Sequence, residues 1–178
     1  MIKSIAVFCG SKSGLNLLFE EHAKQLGYLL AQQNITLIYG GGNKGLMGAV
    51  ANAVLEKSGH VIGIIPQLLT DREHSHKGIS ELIIVDNMHI RKQLLYDKCD
   101  AAIILPGGFG TLDEFYEMLT WNQLSIHNKQ IFILNTDGFY NHLLTHNIIM
   151  QQQGFLYDKI EDRITILETP EQLISFLN

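Results

Sequence analysis

The chain has 178 residues, 46% hydrophobic and 17% charged, with 13 Lys and Arg against 18 Asp and Glu for a formal net charge of −5. That balance excludes a disordered chain and predicts one globular domain over 1–178 with a sizeable core. The acidic surplus argues against a nucleic-acid backbone as partner, yet leaves room for one phosphate at a local site.

The apolar run at 5–9 predicts a buried strand. It is too short for a signal peptide and leads into a turn, Gly10-Ser11-Lys12-Ser13-Gly14. Leu15, Leu18, Phe19, His22, Leu26, Leu29 and Leu30 then recur at helical spacing. A second strand follows at 35–39. Leu46, Val50, Val54 and Leu55 mark one side of a second helix. A third strand at 61–65 stops at Pro66. The polar stretch 67–80, containing Asp71-Arg72-Glu73-His74-Ser75-His76, predicts the longest loop, and long loops in small domains are often functional.

A strand at 82–85, a helix at 88–98 and a strand at 101–105 come next. A helix from 111 to about 125 and a strand at 131–134 follow. A helix from 139 to about 152, a strand at 164–167 and a last helix opened by Pro170 complete the pattern. Nearly continuous apolar strands alternating with helices predict an α/β, doubly wound, Rossmann-like domain, with a mainly parallel sheet and helices on both faces. No segment approaches the roughly 20 apolar residues of a membrane span. Cys9 and Cys99 each border an apolar run and read as buried free thiols, which suits a cytoplasmic protein.

Three glycine-rich loops fall at carboxyl ends of strands, where such folds bind ligands. They are 10–14, 40–48 and 106–114. Gly40, Gly42 and Gly45 match a dinucleotide spacing, but they follow the second strand, and the next strand carries no acid to hold a ribose. A Walker loop is excluded, because no Gly-Lys-Ser/Thr stands at the required spacing. In Pro106-Gly107-Gly108-Phe109-Gly110-Thr111-Leu112-Asp113-Glu114 the glycines bare the backbone. Thr111 reads as the helix cap, with Asp113 and Glu114 in the first helical turn. A following helix aims free N–H groups at an anion. Carboxylates beside a phosphate need a further reason, which a ribose with hydroxyls and developing positive charge supplies.

The motif Pro106-Gly107-Gly108-x-Gly110-Thr111-x-x-Glu114 resembles the signature of the LOG (LONELY GUY) family, cytokinin riboside 5′-monophosphate phosphoribohydrolases with relatives labelled lysine decarboxylase-like. Tyr39-Gly40-Gly41-Gly42 with Gly45-Leu46-Met47-Gly48, and Met88-His89-Ile90-Arg91-Lys92, resemble two further family segments. So do Arg72-Glu73 and Thr120-Trp121-Asn122-Gln123-Leu124. Many relatives carry Glu where this chain has Ile90.

The resemblance implies hydrolysis of the N-glycosidic bond of a purine nucleoside 5′-monophosphate, with adenine or an N6-modified adenine as base. It implies no cofactor, no metal and a homo-oligomer, most often a dimer. It names Arg91 and Glu114 as catalytic. Gly41, Gly42, Glu73, Met88, Lys92, Gly107, Gly108, Phe109, Gly110, Thr111 and Asp113 are expected to bind substrate. Glu114 could stabilise ribosyl charge, bind ribose hydroxyls or activate water. Arg91 has the fork geometry for an oxyanion.

A pyridoxal-dependent decarboxylase would need a Schiff-base lysine with partners for the cofactor ring, which Lys44 and Lys92 lack in sequence. A non-catalytic nucleotide-binding or sensing module is the alternative that uses the same loops. The pairs His74/His76 and His142/His146 lack the further ligands of a metal site.

Overall fold

Strand residues that alternate between two apolar faces require cover on both sides, and the helices supply it. The computed structural model describes residues 1–70 and 74–177. In chain order, β1 (Ser4–Phe8), α1 (Leu17–Gln32), β2 (Thr36–Tyr39), α2 (Gly45–Glu56) and β3 (Val61–Pro66) form the first part. Then come β4 (Glu81–Val85), α3 (Met88–Lys98), β5 (Ala101–Ile104), α4 (Phe109–Gln123), β6 (Gln130–Leu134), α5 (Asn141–Gln152) and β7 (Ile164–Leu167).

The seven strands lie in the order β4-β3-β2-β1-β5-β6-β7, and every pairing is parallel. The chain therefore winds outward from β1 in one direction through β2 to β4, then returns to the other side of β1 at β5. That reversal is the point at which open α/β sheets place their ligands. Ile5 and Val7 join Leu26, Leu30, Val50 and Val54 of α1 and α2 in one core cluster. Ala6 and Phe8 face the other way, with Leu95, Phe115 and Met118 of α3 and α4. Each such Leu, Ile or Phe contributes about 1.5–3 kcal/mol by leaving water.

The boundaries differ from the sequence reading in physically legible ways. Leu15 is fully exposed and precedes α1, because the Asn16 side chain accepts the Leu18 N–H and starts the helix there. The helix of the third loop begins at Phe109, two residues earlier than the cap assigned to Thr111. Gly108 takes the extended cap position with no side-chain bond, so Thr111 lies inside the helix. The final helix is a 3-10 segment, Pro170–Phe176, closed at its start by a Thr169–Gln172 capping box.

Candidate active site

The loops after β1, β2 and β5 meet at the sheet reversal. The Gly10 N–H donates to the Pro106 carbonyl at 3.0 Å. The Gly10 carbonyl accepts from Leu46 at 3.1 Å and from Met47 at 3.4 Å. The Leu46 and Met47 amides in the first turn of α2 are thus already used by the protein. Gly45, at φ +58°, lets the second loop lie against the first: an added Cβ would sit 2.4 Å from the Lys12 nitrogen. The second loop packs against the first at this point, with two of the leading α2 amides turned to the Gly10 carbonyl.

The start of α4 is different. Its first internal bond runs from the Leu112 N–H to the Gly108 carbonyl. The N–H groups of Phe109, Gly110 and Thr111 precede that bond and point off the helix end, as helix geometry dictates. Gly108 and Gly110 are exposed, and an added Cβ on either would meet nothing within 4 Å. Neither glycine is demanded by packing or by positive φ, so the space beside them is free for a ligand. Gly107 serves another end: a Cβ there would lie 2.1 Å from Oγ1 of Thr111. Thr111 is buried, its hydroxyl tucked under the loop. Phe109 projects into solvent at 93% exposure. A cavity of about 310 Å³ between the first and third loops is bordered by Lys12, Ser13, Gly107 and Gly108. The loop's root is held by Tyr140, whose hydroxyl donates to the Leu105 carbonyl at 2.7 Å.

Arg91 and Glu114 come from neighbouring helices, α3 and α4, and meet. Nη2 of Arg91 lies 3.9 Å from Oε1 of Glu114, with both side chains mostly buried. Glu114 is in the second turn of α4, as is Asp113, which corrects their expected place in the first turn. One turn further from the helix end, the Glu114 carboxylate stands off the leading α4 amides instead of among them. Arg91 is itself seated: its guanidinium fills the space beside Gly40, and its Nη1 reaches the Met88 sulfur at 3.7 Å. Nε of Arg91 is buried with no hydrogen-bond partner among the described residues. Met88 is exposed enough, at 39%, to offer its thioether to a ligand as well.

Lys92 turns away from Arg91 toward two acids. Its Nζ lies 2.7 Å from Asp113 and 3.2 Å from Glu117. Burial opposes its charge, but the hydrogen bonds to Asp113 and Glu117 outweigh that and hold its pKa above the ordinary lysine value. Tyr96 adds a hydroxyl bond to Glu117 at 2.9 Å. Lys92 and Asp113 therefore bind each other across α3 and α4. Glu117 was not singled out in the sequence, although its spacing of four from Asp113 puts both on one helix face.

Cys9 is buried directly after β1. Burial, helped by the Glu114 charge, pushes its thiol well up, so it stays protonated and is no nucleophile. Gly41, at φ +78°, and Gly42 are buried and held by the long loop: the Gly41 carbonyl accepts from His76, and Gly42 bridges Ser75. The expected binding residue Glu73 lies outside the described residues. No cluster of three potential metal ligands occurs among the described residues.

A family model described as possible lysine decarboxylase matches residues 47–177. Cytokinin riboside 5′-monophosphate phosphoribohydrolase LOG2 of Arabidopsis thaliana is 43% identical over 175 residues, covering 98% of this chain and 82% of that protein. The chain belongs to the LOG family. Another Arabidopsis member, the phosphoribohydrolase LOG7, is 47% identical over 154 residues, covering 86% of this LOG-family chain and 71% of its own. A probable phosphoribohydrolase of rice, LOGL2, is 42% identical across 98% of the chain and 72% of that protein. Among solved structures, the molybdenum cofactor binding protein of Rippkaea orientalis superposes with a TM-score of 0.73 at 24% identity, covering 99% of this chain and 96% of that one. The molybdenum cofactor carrier protein of Chlamydomonas reinhardtii gives 0.74 at 17% with the same coverage. At those identities the likeness places this LOG-family chain in their fold.

Proposed function

We propose that the chain hydrolyses the N-glycosidic bond of purine nucleoside 5′-monophosphates, releasing the free base and ribose 5-phosphate. The observation that carries this reading is the Arg91–Glu114 pair standing beside the open N-terminal amides of α4. An anion on Phe109, Gly110 and Thr111 amides anchors the nucleotide by its 5′-phosphate, which the helix dipole favours. The ribose then lies toward Glu114.

As the C1′–N9 bond breaks, its electron pair leaves with the purine, which takes a proton from solvent water, and positive charge grows on the ribose. The Glu114 carboxylate stabilises that charge and accepts a proton from the water whose oxygen bonds to C1′, and later returns that proton to solvent. Arg91 pairs with Glu114 and offers a substrate oxygen its Nε, which has no hydrogen-bond partner among the described residues. The reaction draws on no cofactor. Adenine or an N6-modified adenine is the base, in keeping with the names of the relatives.

Two further elements belong to this reading. The chain forms a homodimer, supported by exposed apolar side chains at Phe109, Leu124, Ile126 and Phe155. It works in the cytoplasm, in keeping with its two buried free thiols. No helix among the described residues is long and apolar enough to cross a membrane.

The test is a panel of nucleoside monophosphates, AMP and N6-isopentenyl-AMP included, assayed for released base beside the matching nucleosides. Monophosphates should turn over and nucleosides should not. Tight binding of AMP without base release, in protein whose Glu114→Gln variant binds equally well, would instead mark a nucleotide-binding module.

A further inference from the structure

A second cavity lies away from the site, between α4, α5 and the segment 156–163. It measures about 170 Å³ and is walled by Tyr116, Leu119, Met150, Leu156 and Ile160. Asn147 of α5 reaches it from a position with no solvent exposure. The Tyr116 hydroxyl donates to its Oδ1 at 2.8 Å. Its Nδ2 has no hydrogen-bond partner among the described residues. An unpaired buried amide donor is costly, so a group that accepts from it gains what the free protein forgoes.

The cavity's charge is already settled. The Arg163 guanidinium donates to Oδ1 of Asn122 at 2.7 Å and pairs with Asp158. The two charges at the cavity wall thus already offset each other. The volume resembles that of an apolar cavity of about 150 Å³ known to admit a benzene ring.

We propose that this cavity is a binding site for a small, neutral, ring-sized molecule carrying one hydrogen-bond acceptor, which takes the Nδ2 donor of Asn147. The ring fills the space among Leu119, Met150 and Leu156. Because Tyr116 and Leu119 sit on the helix that carries Glu114, an occupant braces α4 from the side opposite α3.

Acetophenone, a ring with one carbonyl, is the probe, and toluene is the same ring without an acceptor. Isothermal titration on the full chain should give one saturable site per chain for acetophenone, with toluene at least fivefold weaker. Asn147→Leu should bring acetophenone down to the affinity of toluene. Met150→Phe, which fills the cavity from a half-buried position, should abolish binding of both and leave AMP hydrolysis intact. If Asn147→Leu does not fold, the acetophenone-to-toluene ratio and Met150→Phe still decide. Absence of saturable binding, equal affinity for the two probes, or a soaked crystal holding only water at Nδ2 would each overturn the proposal. None of these outcomes depends on the hydrolase reading, which the nucleotide panel tests separately.

Discussion

Gly40 and Arg91 share one space: a Cβ added to Gly40 would lie 2.3 Å from Nη2 of Arg91. The glycine at the end of β2 is therefore a seat for the guanidinium that faces Glu114. Gly40→Ala should push Arg91 off Glu114 without touching a ligand directly. Displacing a positioned group by about 1 Å costs on the order of 100-fold in rate. The expected outcome is a fall of that size in kcat for AMP, with KM changed less, measured by released base. An unchanged kcat would mean that Arg91 does not act from the position it holds here.

The three glycines of the third loop should separate in a mutational series. Gly108→Ala and Gly110→Ala place a methyl group in open space. Their thermal unfolding should match the parent, while KM for AMP rises about tenfold as the methyl enters the phosphate's place. Gly107→Ala forces a clash with Thr111 and should lower Tm. If Gly108→Ala and Gly110→Ala both kept the parent KM, the phosphate would bind elsewhere.

Lys92 is held by two acids and should behave as a clamp between α3 and α4. Lys92→Met leaves Asp113 and Glu117 facing each other without a cation. The loss expected is about 1 kcal/mol, or a fall of about 2–4 °C in Tm for a chain of this size. Adding Glu117→Gln should recover part of it. Direct phosphate binding by Lys92 would instead show as a large rise in KM with Tm unchanged.

Stability should fall on the acid side through His76. Burial lowers its pKa below the ordinary 6.5, and a backbone hydrogen bond only partly offsets this. Its Nδ1 accepts from the Gly78 N–H, which requires the neutral ring, and Nε2 then donates to Asn52. The unfolded chain thus binds the proton first as pH drops below 6.5. The stabilisation is complete above 6.5 and is lost as pH falls through the lower folded value. His127, also lowered by burial and then by Lys129, has the same sign. Urea midpoints at pH 5, 6, 7 and 8 should fall toward acid, with a shallower slope in His76→Gln. Equal slopes in the two proteins would count against this assignment.

Much of this arrangement was legible beforehand. Alternating apolar runs and helical spacing placed all seven strands, and α3 was located at its observed bounds, Met88–Lys98. The pairing of Arg91 with Glu114 came from motif likeness alone, since no local pattern links residues on two helices. The start of α4 was misplaced because Thr111 is a favoured cap residue. Here the loop's own geometry, with the Thr111 hydroxyl packed under Gly107, outweighed that preference. The plugging of the α2 amides by the Gly10 carbonyl could not be read, because it is a tertiary contact between loops. For the same reason the ion pairs of Lys92 with Asp113 and Glu117 could not be read from the sequence.

The crossing from α3 through β5 to α4 carries both side chains assigned to chemistry, Arg91 and Glu114, while the loops after β1 and β2 contribute mainly backbone and glycine space. Reactivity and scaffold are thus written in different parts of the chain. Ile90, exposed on α3 beside Arg91, can therefore be substituted at the rim of the candidate site while Arg91 and Glu114 both stay in place.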